Sequence, residues 1–354
     1  MMYLLNYILT AAMAAKNEKR YRLMSKTKDC KPCFKTSIGG QALMEGILMR
    51  GPKKQAIVCR APDGTLTSKV DELALSRDRH PILGIPFLRG VPIFIDSMVK
   101  GMQALTYSAS LLPEEEQEKP GKFDLWLEKT FGSEKANQVI IAIALVLGLL
   151  LAVGLFVLLP SFLFELLPEG INLVTRCILE GMIRIVIFLA YMWLCTRMKE
   201  IKRVFAYHGA EHKTIFCYEK GLELTVENVR AQSRLHPRCG TSFLVVIMLI
   251  AILLVSVMTW VLSLFPAIAT LPKIAAALVR MLAKLILLPF VVSVTYELNR
   301  WVGRHDELLI SRIIAWPGKK MQNITTYEPD DGMIECAIEA MKQVIPEEQG
   351  EDAW

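Results

Sequence analysis

Four long apolar segments constrain this chain more than any other feature of its sequence. They cover residues 136–167, 178–195, 243–268 and about 278–298. The first has no charged residue before Glu165, and the third has none at all. A helix of about 20 apolar residues spans the roughly 30 Å hydrocarbon core of a bilayer. Because 53% of all residues are also hydrophobic, the sequence predicts a mainly α-helical, multi-pass membrane protein with about four transmembrane helices.

The basic residues indicate how these segments are oriented. Nine Lys or Arg residues lie between the second and third segments: Arg197, Lys199, Lys202, Arg203, Lys213, Lys220, Arg230, Arg234 and Arg238. The connections at the other end hold only Arg176 and Lys273. Because basic loops stay on the cytoplasmic side, the sequence predicts that the middle loop and both termini are cytoplasmic. Arg280 and Lys284, near the predicted outer end of the fourth segment, do not follow this bias.

The net charge of the chain bears on its partners. Its value of +6 requires no nucleic acid, because basic residues that flank membrane spans face anionic lipid headgroups. Membrane lipids are therefore the expected partners. No feature of the sequence fixes an oligomeric state.

Composition divides the chain into soluble and membrane parts. The expected parts are an N-terminal extension (1–33), a small cytoplasmic α/β domain (34–112), a linker (113–135), a four-helix membrane domain (136–298) with a cytoplasmic loop (196–240), and a cytoplasmic C-terminal segment (299–354). Strand-like runs on both sides of the turn residues 62–64 predict a hairpin in the α/β domain. An amphipathic helix over about 91–111 is expected on the membrane surface. Asp330 and Asp331 are expected to cap a C-terminal helix.

The segment FAYHGAEHKTIF, residues 205–216, places two of the five histidines four residues apart. On a helix, His208 and His212 share a face and can offer two imidazoles to one metal ion. Glu211 completes the pattern H-x-x-E-H, the inverted form of the zinc-protease motif in which the glutamate is the general base. A juxtamembrane helix whose glutamate pairs with a basic residue has the same pattern, so the motif alone leaves both interpretations open.

Further candidate ligands follow in the same predicted loop. His236 and Cys239 stand in the segment SRLHPRCGTSF, just before the third apolar segment, and Glu297 lies at the predicted inner end of the fourth. A zinc site needs three or four ligands, which His208, His212 and Cys239 supply together with His236 or Glu297. Three protein ligands leave a position for water, whereas four favour a closed structural site. Zinc is the expected metal, and another divalent ion is the alternative.

The remaining histidines and one pair of cysteines give weaker signals. His80 and His305 are isolated in the sequence and are expected to be polar surface residues. Cys30 and Cys33 form a single CxxC pair among the eight cysteines. Without a second pair, this pattern is a weak indication of zinc binding or redox chemistry.

Five segments have a distinctive sequence: IGGQALMEGILMRGP, YHGAEHKTIFCYEKG, LTVENVR, SRLHPRCGTSF and TTYEPDD. Together they resemble the signature segments of the YqhQ-like family, a domain of unknown function in bacterial membrane proteins described as predicted metal-dependent enzymes. The similarity runs from about residue 36 to 340. It implies a multi-pass protein of the bacterial cytoplasmic membrane with a metal site at His208, His212, His236 and Cys239. It brings no established substrate.

Three functions fit these features. The leading expectation is a metal-dependent hydrolase, in which Glu211 is the general base and Glu297 or Arg300 orients a peptide or lipid-linked substrate. In the second, a non-enzymatic scaffold, zinc only fastens the middle loop and the N-terminal domain recruits a partner. In the third, a transporter, Glu180, Arg184 and Glu297 line a path, because ionisable residues at membrane depth are functional candidates.

Overall fold

The structure is a computed structural model, and it describes residues 34–73, 84–112, 121, 129–130, 132–165, 172–348 and 350–353. The expected N-terminal extension with its CxxC pair, most of the expected linker, and His80 lie outside the described residues. The described residues form two compact units. The first contains 34–73, 203–236 and 326–353, and the second contains the described residues of 84–202 and 237–325.

This division differs from the expected domain boundaries. The expected α/β domain is split, since its sheet belongs to the first unit and its helix to the second. The sheet is joined instead by most of the expected middle loop and by the C-terminal residues. These partners are far away in the sequence, and composition shifts along the chain carry no information about such contacts.

Helices account for most of the described residues. In chain order they are α1 (Gly90–Ser110), α2 (Ser133–Val153), α3 (Leu159–Glu165), α4 (Leu173–Cys195), α5 (Lys199–Glu219), α6 (Val226–Arg230), α7 (Gly240–Ser263), α8 (Pro266–Ala269), α9 (Lys273–Arg304), α10 (Leu309–Thr325) and α11 (Asp331–Val344). A short π-helical turn, Gly154–Leu158, joins α2 to α3. The amphipathic helix expected at 91–111 is α1.

The first unit is built on an antiparallel sheet. Its strands, in both chain and spatial order, are β1 (Gly39–Leu43), β2 (Gly46–Arg50), β3 (Lys54–Arg60) and β4 (Leu66–Glu72). The predicted hairpin is confirmed by β3 and β4, which pair from Arg60 and Leu66 outwards. Gly64 has φ 84° in the connecting turn, a left-handed conformation that glycine adopts without steric cost.

The core of the first unit lies between the sheet, α5 and α11. The central strands β2 and β3 are almost entirely buried, and Tyr207, Ala210, Ile334 and Met341 from the two helices are at most 1% exposed. The predicted helix cap is confirmed, because the Asp330 side chain accepts a hydrogen bond from the Met333 N–H at 2.9 Å. Burial of this continuous apolar surface stabilises the unit.

Three cysteines of this core are buried free thiols. Burial raises the pKa of Cys59, Cys217 and Cys336 to about 12 each. Because the thiolate is the reactive form of cysteine, these three side chains stay protonated and inert at neutral pH. They are packing residues and contribute no nucleophile.

The second unit contains four helical stretches long and apolar enough to cross a membrane: Gln138–Leu163, Ile178–Cys195, Leu244–Ser263 and Ile274–Arg304. They agree with the four predicted segments, so a mainly helical fold with a small antiparallel sheet is confirmed. The fourth is longer than predicted at both ends, and Pro289 lies inside α9 without ending it. In the first, Leu147, Leu150 and Leu151 are 60–67% exposed, which is unusual for leucine in a soluble helix.

Candidate functional site

His208 and His212 lie in the buried part of α5, in the first unit. Their side chains are 7% and 1% exposed, and their ring centroids are 4.3 Å apart. A ligand nitrogen of one lies within 4.8 Å of a ligand nitrogen of the other. Two nitrogens bound to one tetrahedral zinc ion at 2.0–2.1 Å are separated by about 3.4 Å. The helical spacing therefore places this pair where both rings can approach one metal ion.

The hydrogen bonding of His212 determines which ring nitrogen carries the proton. Its Nδ1 lies 2.6 Å from the carbonyl oxygen of Arg234. Since a carbonyl oxygen only accepts, Nδ1–H is the donor and the neutral ring has its lone pair on Nε2. Nε2 is buried and has no hydrogen-bond partner among the described residues. Metal-binding histidines have this arrangement, with one nitrogen donating to a carbonyl group and the other facing the metal.

A buried lysine holds the loop that supplies this carbonyl group. Lys213 Nζ donates to the carbonyl oxygens of Arg230 and Gln232, both at 2.9 Å. It also lies 2.9 Å from Glu328 Oε2. A buried ammonium with three acceptors fixes the backbone around it, and so the Arg234 carbonyl is held against α5.

His236 lies next to the histidine pair in the same unit. Its ring centroid is 5.6 Å from that of His212 and 4.5 Å from that of Phe216. Its Nε2 is 3.6 Å from Glu219 Oε2, and Glu219 Oε1 accepts a hydrogen bond from the Thr36 N–H at 3.0 Å. The structure therefore brings the three predicted histidines together and adds a fully buried carboxylate.

Sequence reasoning missed Glu219. The available signal is its spacing, because Glu219 follows His208 by eleven residues and His212 by seven. These intervals are about three and two helical turns, so all three residues share one stripe of α5. A carboxylate near an imidazole orients the ring and raises its basicity, which makes Glu219 part of the same arrangement.

Glu211, the predicted general base, has a fixed orientation. Its side chain is 5% exposed, and Oε1 accepts a hydrogen bond from the Gly40 N–H at 3.0 Å. A Cβ atom at Gly40 would lie 2.5 Å from the Leu48 carbonyl oxygen and 3.1 Å from Glu211 Cδ. Only glycine permits this close approach. The hydrogen bond from Gly40 to Glu211 therefore links β1 to α5 at the predicted site.

The backbone of the C-terminal segment lies directly against α5. A Cβ atom at Gly209 would lie 2.0 Å from the Tyr327 carbonyl oxygen. The Tyr327 N–H donates to the Phe205 carbonyl oxygen at 2.9 Å. Gly209, between the histidines in the sequence, therefore allows the two pieces of backbone to pack together.

Cys239, the remaining predicted ligand, belongs to the second unit. It is buried and directly precedes α7. Only two residues separate it from His236, so chain geometry limits the distance between the two Cα atoms to about 11 Å. Its predicted role as a metal ligand stays a prediction.

Glu297 and Arg300, the predicted substrate-orienting residues, also belong to the second unit. Glu297 accepts two hydrogen bonds from Arg89, Nε to Oε1 at 2.7 Å and Nη2 to Oε2 at 2.6 Å. The Phe87 N–H adds a third at 3.3 Å. This bidentate pair fastens the start of α1 to α9, and sequence reasoning missed it. Arg300 is partly buried, and the predicted role of both residues stays a prediction.

The isolated histidine in the described part of the chain behaves as expected. His305 Nδ1 donates to the Trp301 carbonyl oxygen at 2.9 Å, and its ring stacks on Trp301 with centroids 5.0 Å apart. Both contacts are local to the end of α9, so His305 is a satisfied polar residue near the surface.

The fold and the histidines define a class of protein with four apolar helices long enough to cross a membrane and a separate α/β unit that buries three histidines. The model of the family described as "Protein of unknown function (DUF1385)" matches residues 85–347, and the chain belongs to this family. It is 32% identical over 319 residues to the uncharacterized protein YqhQ of Bacillus subtilis (strain 168), which covers 87% of this chain and 92% of that protein. The resemblance seen in the sequence is thereby confirmed. No solved structure matches the chain.

Proposed function

We propose that this protein is a zinc-dependent enzyme acting at the cytoplasmic surface of the membrane, with His208 and His212 as metal ligands. The observation that supports this most strongly is the buried Nε2 of His212, whose lone pair faces no hydrogen-bond donor among the described residues. His236 and Cys239 are the residues we propose to complete the shell. Imidazole and thiolate donors favour zinc over magnesium or calcium.

The proposed reaction is hydrolysis. When bound, zinc acts as a Lewis acid toward water and substrate. Glu211 lies between the two histidines in the sequence, and the Gly40 N–H holds its carboxylate in one orientation. A carboxylate so placed can take a proton from the attacking water, the role of a general base. A peptide or a lipid-linked molecule is the proposed substrate, since both reach an active site at a membrane surface.

Replacement of Glu211 by glutamine tests the catalytic role. The purified wild-type protein should contain about one zinc ion per chain, measured by elemental analysis. The Glu211→Gln variant should keep that zinc, because the amide oxygen still accepts the Gly40 N–H. It should fail to restore the phenotype of a strain that lacks the protein, since an amide takes up no proton at neutral pH.

The same experiment examines a second candidate function, a structural zinc site. The Lys213 contacts favour it, because Lys213 holds the Arg230 and Gln232 carbonyl groups against α5. A structural zinc ion would hold the nearby His236 to α5 in the same way. If Glu211→Gln keeps both zinc and cellular function, the site is structural. If the wild-type protein contains no metal, both zinc proposals are wrong.

We further propose that the four apolar helices cross the bacterial cytoplasmic membrane with both termini inside. The exposed leucines of the first helix support insertion into the membrane. The basic residues between α4 and α7 support the orientation. The face of α10 adds to it, since Leu309, Ile313 and Trp316 are 60–73% exposed on a helix with three basic and no acidic residues. Such a helix suits an anionic membrane surface.

A protease site inserted after Glu223, an exposed residue that follows α5, tests this orientation. In sealed inverted vesicles, the inserted site should be cut by added protease, because inversion exposes the cytoplasmic side. In intact spheroplasts it should be protected. Cleavage in spheroplasts alone would reverse the proposed orientation, and release of the protein from membranes at alkaline pH would contradict insertion.

A further inference from the structure

The second unit contains a buried ionisable cluster that the proposed function does not use. Glu180 and Arg184 on α4 and Lys284 on α9 are 5–9% exposed. Glu180 Oε1 accepts hydrogen bonds from Lys284 Nζ at 2.7 Å and from Arg184 Nη2 at 3.2 Å. Ser161 donates to the same oxygen at 2.9 Å and accepts from Lys284 Nζ at 2.7 Å. Three helical segments thus meet at one carboxylate oxygen.

The charges in this cluster do not balance. Glu180 supplies one negative charge, whereas Arg184 and Lys284 supply two positive charges. A charge removed from water is stable only when it is paired and hydrogen-bonded. The three groups therefore carry one positive charge more than they neutralise among themselves.

The cations also keep donors for another acceptor. Lys284 uses two of its three N–H groups, on Glu180 and Ser161. Arg184 uses Nε on the Phe156 carbonyl oxygen at 2.9 Å and Nη2 on Glu180, which are two of the five N–H groups of a guanidinium. Phe156 lies in the π-helical turn, a distortion frequent at functional sites.

The positions of these residues in their helices give the depth of the cluster. Glu180 comes seven residues after the start of α4, and Lys284 comes eleven after the start of α9. At 1.5 Å per residue, these distances are about 11 and 17 Å. Both helices follow the short connections at the same end of the bundle, so the cluster lies well inside a bilayer of roughly 30 Å if the helices span it.

We propose that the second unit binds an oxyanion of the phosphate type through Arg184 and Lys284, with Glu180 holding both cations in place. The planar guanidinium group donates two parallel hydrogen bonds to phosphate oxygens, and a lysine ammonium adds a point charge. The phosphate belongs either to a phospholipid headgroup drawn between the helices or to a free phosphate ion. Either source restores the charge balance of the cluster.

Two measurements on the full chain distinguish these sources. In a maltoside detergent free of phospholipid, inorganic phosphate is titrated and followed by calorimetry. In nanodiscs of phosphatidylcholine and phosphatidylglycerol, native mass spectrometry counts the anionic lipids that stay bound. We expect the wild-type protein to bind one phosphate ion in the first arm or to retain one phosphatidylglycerol in the second.

The Arg184→Met variant should weaken that binding about tenfold or more, since it removes charge-assisted hydrogen bonds to the anion. It leaves a balanced Glu180–Lys284 pair, so the bundle is expected to fold. The matched control is Arg197→Met, which removes the same charge from an exposed position just after α4 and should bind as the wild type does. Glu180→Gln leaves two cations and should tighten binding.

The proposal is overturned if the wild-type protein binds no anion in either arm, or if Arg184→Met and Arg197→Met bind equally well. Equal binding by the wild type and a folded Glu180→Gln variant would also contradict the charge argument. None of these outcomes depends on zinc, so the anion site and the metal site are tested separately.

Discussion

The His212→Ala variant is expected to lose its bound metal. The wild-type ring is positioned by its Nδ1–H bond to the Arg234 carbonyl oxygen and presents Nε2 toward the proposed ion. Alanine removes one ligand completely, and a zinc site with too few ligands binds weakly. Elemental analysis after purification in zinc-containing buffer should show a fall from about one ion per chain to less than about a tenth of that.

The control for this experiment is His305→Ala. This change also removes one imidazole, but from a partly exposed position at the end of α9, where the ring hydrogen-bonds to the Trp301 carbonyl oxygen and stacks on Trp301. It should leave the zinc content unchanged. Equal zinc content in the wild type, His212→Ala and His305→Ala would show that the metal binds elsewhere, and the proposed ligand set would be wrong.

The Gly209→Ala variant is expected to lose stability by about 3 kcal/mol, at the upper end of the usual cost of overpacking. The added methyl group would lie 2.0 Å from the Tyr327 carbonyl oxygen, and a backbone atom cannot move aside as a flexible side chain can. The melting temperature should fall by roughly 4 °C, because the entropy of unfolding scales with the 354 residues of the chain. Thermal unfolding of the purified protein, followed by circular dichroism, measures the change.

The matched control is Gly148→Ala. Gly148 also lies inside a helix, but an added Cβ would meet nothing within 4 Å. Alanine favours helix formation over glycine by about 1 kcal/mol, so this variant should be as stable as the wild type or slightly more stable. A Gly209→Ala variant that matched Gly148→Ala in stability would show that α5 and the C-terminal segment do not pack as closely as the structure indicates.

Local patterns in the sequence predicted local structure well. The four apolar segments, the hairpin at residues 62–64, the cap at Asp330 and the shared face of His208 and His212 all follow from spacing and residue type. Each of these signals acts between residues that are close in the chain. They depend little on the rest of the fold.

The contacts that complete the candidate site are of another kind. Lys213 reaches Glu328, Glu211 reaches Gly40, and Glu219 reaches Thr36 across 115 to 183 residues. Hydrophobic periodicity along the chain does not predict contacts between residues so far apart. Glu297 shows the same limit, since its partner Arg89 is 208 residues away. The sequence therefore predicted the helical face that His208 and His212 share, but not the distant residues that contact it.

The first unit is assembled from three pieces of chain, and this has a consequence for biosynthesis. Arg234, whose carbonyl group positions His212, also donates hydrogen bonds to the Thr326 carbonyl and hydroxyl oxygens. Translation adds roughly 5–20 residues per second, so the last piece leaves the ribosome several seconds or more after the histidines do. During that interval, α7 and α9 are synthesised, and residues 203–236 do not yet have their contacts with residues 326–353. The contacts around the histidines are thus completed only after residues 326–353 have been translated, and a product that ended before Thr326 would lack them.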